Sequence, residues 1–174
     1  MPDKLKTLKG KIFLGFLLVV LILIMVSLWA INNFINLSDS INNIMVENYQ
    51  SIKASESMIE SLERQDSAML MILNNHNSEG QKTFRENEQE FLKWLARAED
   101  NITIKGESNY IKEINSNYTN YLELFSEFKE IESNQRRNFY YTDIINNFYK
   151  LKNSIRDLRA INQDKMVQAQ KKAD

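Results

Sequence analysis

Residues Ile12 to Ile31 read IFLGFLLVVLILIMVSLWAI, an apolar run broken only by Gly15 and Ser27. A helix needs about 20 such residues to cross the hydrocarbon core of a bilayer, so 12–31 is predicted to be a transmembrane helix. Lys4, Lys6, Lys9 and Lys11 precede it, and beyond Trp29 come Asn32, Asn33 and Asn36 with no basic cluster nearby. The positive-inside rule then makes residues 1–11 a cytoplasmic basic N-terminus, sets Trp29 at the outer interface and puts the remainder outside. A signal peptide shares the basic start, but its apolar core runs to about 7–15 residues and ends at a small-residue cleavage site. The run is longer than that and no such site follows it. A buried core helix is the third reading, and it fails because the stretch is apolar on every face while the rest of the chain is amphipathic.

Residues 32–174 suffice for one extracytoplasmic domain. Lys and Arg number 22 against 23 Asp and Glu, a net charge of −1. Nucleic acid is therefore not an expected partner, since binding it needs a concentrated basic surface. With no cysteine there is neither a disulfide framework nor a thiolate metal site, and stability must come from packing. Pro2 is the only proline, and Gly80 and Gly106 are the only glycines beyond the amino-terminal and membrane segments. So few helix breakers imply long helices.

The apolar pattern supplies them. Phe84, Phe91, Leu95, Ala98 and Ile102, with Glu88 in the remaining place, form a heptad-like stripe. Ile111, Ile114, Tyr118, Tyr121, Phe125 and Phe128 form another, and Tyr141, Ile144, Phe148, Leu151, Ile155 and Leu158 a third. Upstream, Ile41, Ile44, Ile52, Ile59, Leu62, Met69 and Ile72 share a face on which Asn48, Ser55 and Asp66 stand at or beside apolar places. Asn74 to Asn77 end that helix, and Ser78 with Gln81 matches a capping box. Gly106 marks a second turn, and Asn138 is an N-cap candidate after a third. The expected fold is all-α: an N-terminal transmembrane helix continuing into an up-down-up-down antiparallel four-helix bundle, with helices over about 32–73, 79–102, 108–133 and 138–172. The first helix would run outward for roughly 60 Å and the fourth back for roughly 55 Å, returning the carboxyl end to the membrane. A second membrane helix is expected after residue 174, which makes the chain the input portion of a longer protein.

No catalytic residue is expected: the sequence holds no phosphate loop, HExxH, Gly-x-Ser-x-Gly or CxxC pattern. His76, the only histidine, stands among asparagines without a metal-ligand spacing, so no metal and no cofactor is expected. Glu63-Arg64-Gln65-Asp66-Ser67 places charge midway along a helix between Leu62 and Met69, where it must be paired or serve a ligand. Ion pairing is one reading. The other is an anion site in which Arg64 binds a carboxylate or phosphate and Asp66 and Ser67 complete the hydrogen bonds. Asn48 and its neighbour Tyr49 are register or signalling candidates, since a polar residue at a core place fixes helix register at some cost in stability.

Glu47-Asn48-Tyr49-Gln50-Ser51, then Met58, then Leu62-Glu63-Arg64-Gln65-Asp66-Ser67-Ala68 resembles the first ectodomain helix of the KinB-like sensor domains of bacterial membrane histidine kinases. The resemblance implies a homodimeric sensor module in the bacterial cytoplasmic (inner) membrane, periplasmic in its bundle and joined downstream to a second membrane helix, a HAMP-type relay and a kinase core. Partners would be the lipid bilayer, a second copy and a small anionic ligand. Four-helix-bundle chemoreceptors share the architecture, so a methyl-accepting receptor domain is an alternative. A bitopic structural spacer without a ligand is another.

Overall fold

The computed structural model describes Leu8–Ala173. The basic segment that holds Lys4 and Lys6, and Asp174, lie outside the described residues, so their assigned positions are not addressed by it. Among the described residues every regular element is helical: α1 Leu8–Leu73, α2 Asn77–Asp100, α3 Glu107–Glu130, α4 Ser133–Phe139, a π-helical turn Tyr140–Ile144 and α5 Ile145–Ala173. Helix α1 continues past the apolar run without interruption, and the chain divides into two compact units after Asn43.

The first unit is the amino-terminal part of α1. It is long and apolar enough to cross a membrane, and none of its most apolar window is buried within the protein. Its polar interruptions are satisfied locally: the Ser27 hydroxyl donates to the Leu23 carbonyl at 2.8 Å, and Ser40 to Asn36 at 2.8 Å. Such back-bonding lets a hydroxyl sit in an apolar helix without a lone donor.

The second unit holds the core. Met58, Leu62 and Met69 of α1, Phe84 and Phe91 of α2, Ile114, Tyr118, Tyr121 and Phe128 of α3, and Ile144, Leu151 and Ile155 are all fully buried. All but Met58 belong to the apolar stripes, and on α1 the stripe residues Ile41, Ile44 and Ile59 are only half-buried. Neighbouring helices run in opposite directions, as their paired contacts show. Gln65 of α1 meets Asn87 of α2 while Glu47 meets Asn101. Phe84 stacks on Phe125 and Phe91 on Tyr118, with ring centroids 3.5 and 3.7 Å apart. Across α3 and α5, Asn117 pairs with Ser154 and Glu107 with Asn162.

The connections differ from the sequence reading in three places. The first turn is a Schellman motif: Asn75 takes a left-handed φ of 68°, His76 N donates to Met71 O at 3.0 Å, and Asn75 N donates to Ile72 O at 3.1 Å. The motif reverses the chain so tightly that α2 starts at Asn77. Ser78 is thus inside the helix, and the expected capping box with Gln81 does not form. At the second turn α2 stops at Asp100, two residues early, leaving Ile102 46% exposed instead of in the core. At the third, only Ile131 and Glu132 are extended, and α4 begins at Ser133. Asn138 is therefore a helix-interior residue and not a cap. Arg136 makes the short connection workable, because its guanidinium donates to the carbonyls of Lys129 and Ile131 at 2.8 and 2.9 Å and so satisfies the end of α3.

The π turn moves a core residue. With hydrogen bonds to i+5 the turn takes more residues, which aligns i with i+4 and pushes i+3 off the face. Tyr140, not Tyr141, is accordingly buried with Ile144, and Tyr141 is 61% exposed. Gly80 is the other local device: a Cβ there would stand 2.6 Å from the Ala68 carbonyl oxygen. Only a glycine lets α2 approach α1 that closely.

Candidate functional site

The face of α1 that meets the other helices is unusually polar. Ser51, Ser55, Ser57, Ser61 and Gln65 are all buried. Ser55 and Ser61 return their hydroxyls to the carbonyls of Ser51 and Ser57, both at 2.9 Å, so these small side chains cost little and allow close approach. Gln65 instead reaches across the core. Its amide donates to Asn87 O on α2 at 3.2 Å, and its Oε1 accepts the Tyr118 hydroxyl of α3 at 3.2 Å. One residue on, the Asp66 carboxylate accepts the Tyr140 hydroxyl at 2.7 Å. Tyr121, fully buried nearby, has a hydroxyl with no hydrogen-bond partner among the described residues. A polar layer thus crosses the middle of the core, and Tyr140, at its far side, opens the π turn. Turns of this kind recur at functional sites.

Burial governs the charge states in this layer. It raises the Asp66 carboxyl above its ordinary value of 3.8, against the opposing pull of the Tyr140 hydrogen bond and of Lys152, while Glu63 raises it further. Burial likewise pushes the Tyr118 and Tyr121 phenols up, with the Asp66 charge adding to the effect on Tyr121. For Tyr140, burial and then the Asp66 contact act in the same direction. All three phenols remain neutral hydroxyls at ordinary pH.

A stability consequence follows for Asp66. Between pH 3.8 and its raised folded-state value, the folded protein holds the proton more tightly than the unfolded chain does. The contribution is full below 3.8 and is lost as pH rises through the raised value. Asp66→Asn cannot ionise and is expected to abolish that loss. In urea titrations from about pH 3 to about pH 7, the variant should gain stability relative to the parent as pH rises. A constant difference across the range would contradict the assignment.

The residues singled out in the sequence do not converge. Arg64 is exposed and donates to Glu60 one turn away at 2.8 Å. Ser67 is exposed and donates to its own helix at Glu63 O. Asp66 alone points to the core. Positions 64 and 66 are about 200° apart around a helix, and in this structure Arg64, Asp66 and Ser67 make an intrahelical ion pair, a core hydrogen bond and an intrahelical hydrogen bond in place of one shared site. Asn48 is buried as expected, but its amide donates to Ile44 O of its own helix at 2.5 Å and its Oδ1 has no partner among the described residues. Tyr49 is 61% exposed.

Tyr49 lies instead on a groove between α1 and α2, with Lys53, Trp94, Arg97, Asp100 and Asn101. The groove holds about 450 Å³ and adjoins a second of about 380 Å³ that shares Lys53 and Trp94 and ends at Arg64. Asn101 anchors its lower wall by donating to Glu47 O at 2.7 Å and Ser51 Oγ at 2.9 Å. The Arg97 guanidinium lies over the Trp94 ring, 4.5 Å from its centroid. Sequence reasoning did not single out Lys53 and Arg97, because each is unremarkable within its own helix.

Buried Glu107 was also not foreseen. One carboxylate oxygen accepts from the backbone N–H of Thr103 and Ile104 at 3.0 and 3.1 Å, and the other from Asn162 at 2.9 Å. Glu107 thereby ties the second turn to α5. No family model matches the chain, and neither a curated protein nor a solved structure matches it.

Proposed function

We propose that the chain is the extracytoplasmic input module of a membrane-bound signalling protein, a two-component histidine kinase in the first instance. In this reading residues 12–31 span the bacterial cytoplasmic membrane with the amino terminus inside, and four helical rods (the rest of α1, then α2, α3, and α4 with the π turn and α5 as the fourth) form an up-down-up-down bundle outside. Two copies pair, and displacement of the fourth rod against α1 moves a second membrane helix. The observation that carries the reading is that α1 holds both a segment long and apolar enough to span a bilayer and Asp66, whose partner Tyr140 opens the π turn of the fourth rod. A buried polar contact at a helix irregularity is the kind of element that has two packings close in energy, and a stimulus that favours one of them shifts the population.

Membrane topology is the decisive test. Alkaline phosphatase fused after Asp174 in a bacterial host is expected to be active, and β-galactosidase at the same place inactive. The reverse pattern would overturn the reading. The reading frame supplies a second check: it should run on from Asp174 into an apolar stretch and a histidine-bearing helix, whereas a stop codon there would favour an anchored spacer. A methyl-accepting receptor would show the apolar stretch without the kinase core.

A further inference from the structure

We infer that the groove between α1 and α2 is a binding site for a small organic carboxylate carrying a flat apolar or aromatic group. This goes beyond the signalling reading and does not depend on it, since the groove belongs wholly to the helical unit that begins at Ile44. Its volume of about 450 Å³ is in the range of small-molecule sites. Two kinds of group line it. Lys53 and Arg97 supply positive charge, and among the described residues neither is in a salt bridge. Tyr49 and Trp94 supply aromatic surface, and Tyr49 is 61% exposed on it.

The chemistry selects the ligand class. A carboxylate gains charge-assisted hydrogen bonds from Arg97, whose planar fork is suited to two parallel contacts, and from Lys53. Stacking over Trp94 at 4.5 Å holds the guanidinium in place before a ligand arrives, which lowers the ordering cost of binding. With Asp100 as the acidic member of the lining, these three charges sum to +1, so the site favours a monoanion over a multiply charged one. A flat apolar substituent covers Tyr49 and the open part of the Trp94 ring and adds what charge alone cannot provide in water.

The two tryptophans make the test direct, because the chain has only Trp29 and Trp94. In the full chain carrying Trp29→Phe, held in detergent micelles, Trp94 is the sole indole reporter. Titration with phenylacetate is expected to change its fluorescence saturably. Acetate, inorganic phosphate and phenethylamine should each act about tenfold more weakly or not at all, since each lacks the ring, the single charge or the sign of charge. Lys53→Ala with Arg97→Ala should weaken phenylacetate by about tenfold or more at an unchanged melting temperature. If that double variant fails to fold, exposed Tyr49→Phe and Tyr49→Ala replace it, the first retaining affinity and the second losing it. No saturation by ~10 mM phenylacetate, an equal response to acetate or phosphate, or unchanged affinity in the folded variants would overturn the inference. None of these results bears on the topology fusions, so the two readings fail separately.

Discussion

Phe91→Ala is expected to lower the unfolding free energy by about 3–5 kcal/mol, the usual cost of emptying a fully buried aromatic site. Phe91 has no exposed surface and stacks at 3.7 Å on Tyr118, whose hydroxyl reaches Gln65. The cavity therefore opens directly under the polar layer. Water admitted there would compete for the Gln65 and Tyr118 groups, so the loss should exceed that of Leu92→Ala on the exposed side of the same helix, where the expected change is within about 0.5 kcal/mol. Urea denaturation of the two variants in micelles, followed by far-UV circular dichroism, measures the difference. Equal midpoints would mean that Phe91 is not a core residue.

Glu107→Ala should cost about 2–3 kcal/mol, a large effect for a charged residue and one that no apolar pattern would anticipate. The change removes the acceptor for Thr103 N, Ile104 N and the Asn162 amide together. Asn162 is fully buried and cannot turn to water for replacement. Asn162→Ala removes only one of the three bonds and leaves Glu107 its two backbone donors, so its loss is expected to be smaller. If Asn162→Ala proves as damaging as Glu107→Ala, the turn contacts contribute nothing and the carboxylate serves α5 alone.

Much of the fold was legible because it depends on periodicity along the chain. The stripes from Phe84 to Ala98 and from Ile111 to Phe128 became buried faces as read, and an apolar run of that length becomes a span-grade helix. The ends of helices were less legible. A left-handed Asn75 and a guanidinium folded back from Arg136 settle two of the three turns, and each is a choice among several conformations that the local sequence permits. The single extra residue per turn at Tyr140–Ile144 exchanged Tyr141 for Tyr140 in the core, which a regular helical period could not reveal.

The candidate site was read in part. Asp66 is a charge that needs a partner on sequence grounds, and the partner it meets in the fold, Tyr140, is 74 residues away. Gln65, beside it, is the more deeply buried group and was passed over as one polar residue among five. Arg64 and Ser67 were grouped with Asp66 by nearness in sequence, while helical rotation sends them to solvent.

Taken alone, the sequence determined that the chain is helical, that one segment is apolar on all sides, and which apolar residues of α2 and α3 turn inward. These properties depend on neighbours one to four positions apart, and a helix fixes such spacings. Tertiary structure alone decided what stands opposite each inward residue: Tyr118 and Asn87 around Gln65, Asn162 on Glu107, and Tyr49 with Trp94 across one groove. The relative slide and rotation of packed helices are set by the interlocking of whole faces, including a glycine at position 80 that admits a backbone carbonyl. No local pattern carries that information, so the buried polar layer and the charged aromatic groove emerge only when the helices are brought together.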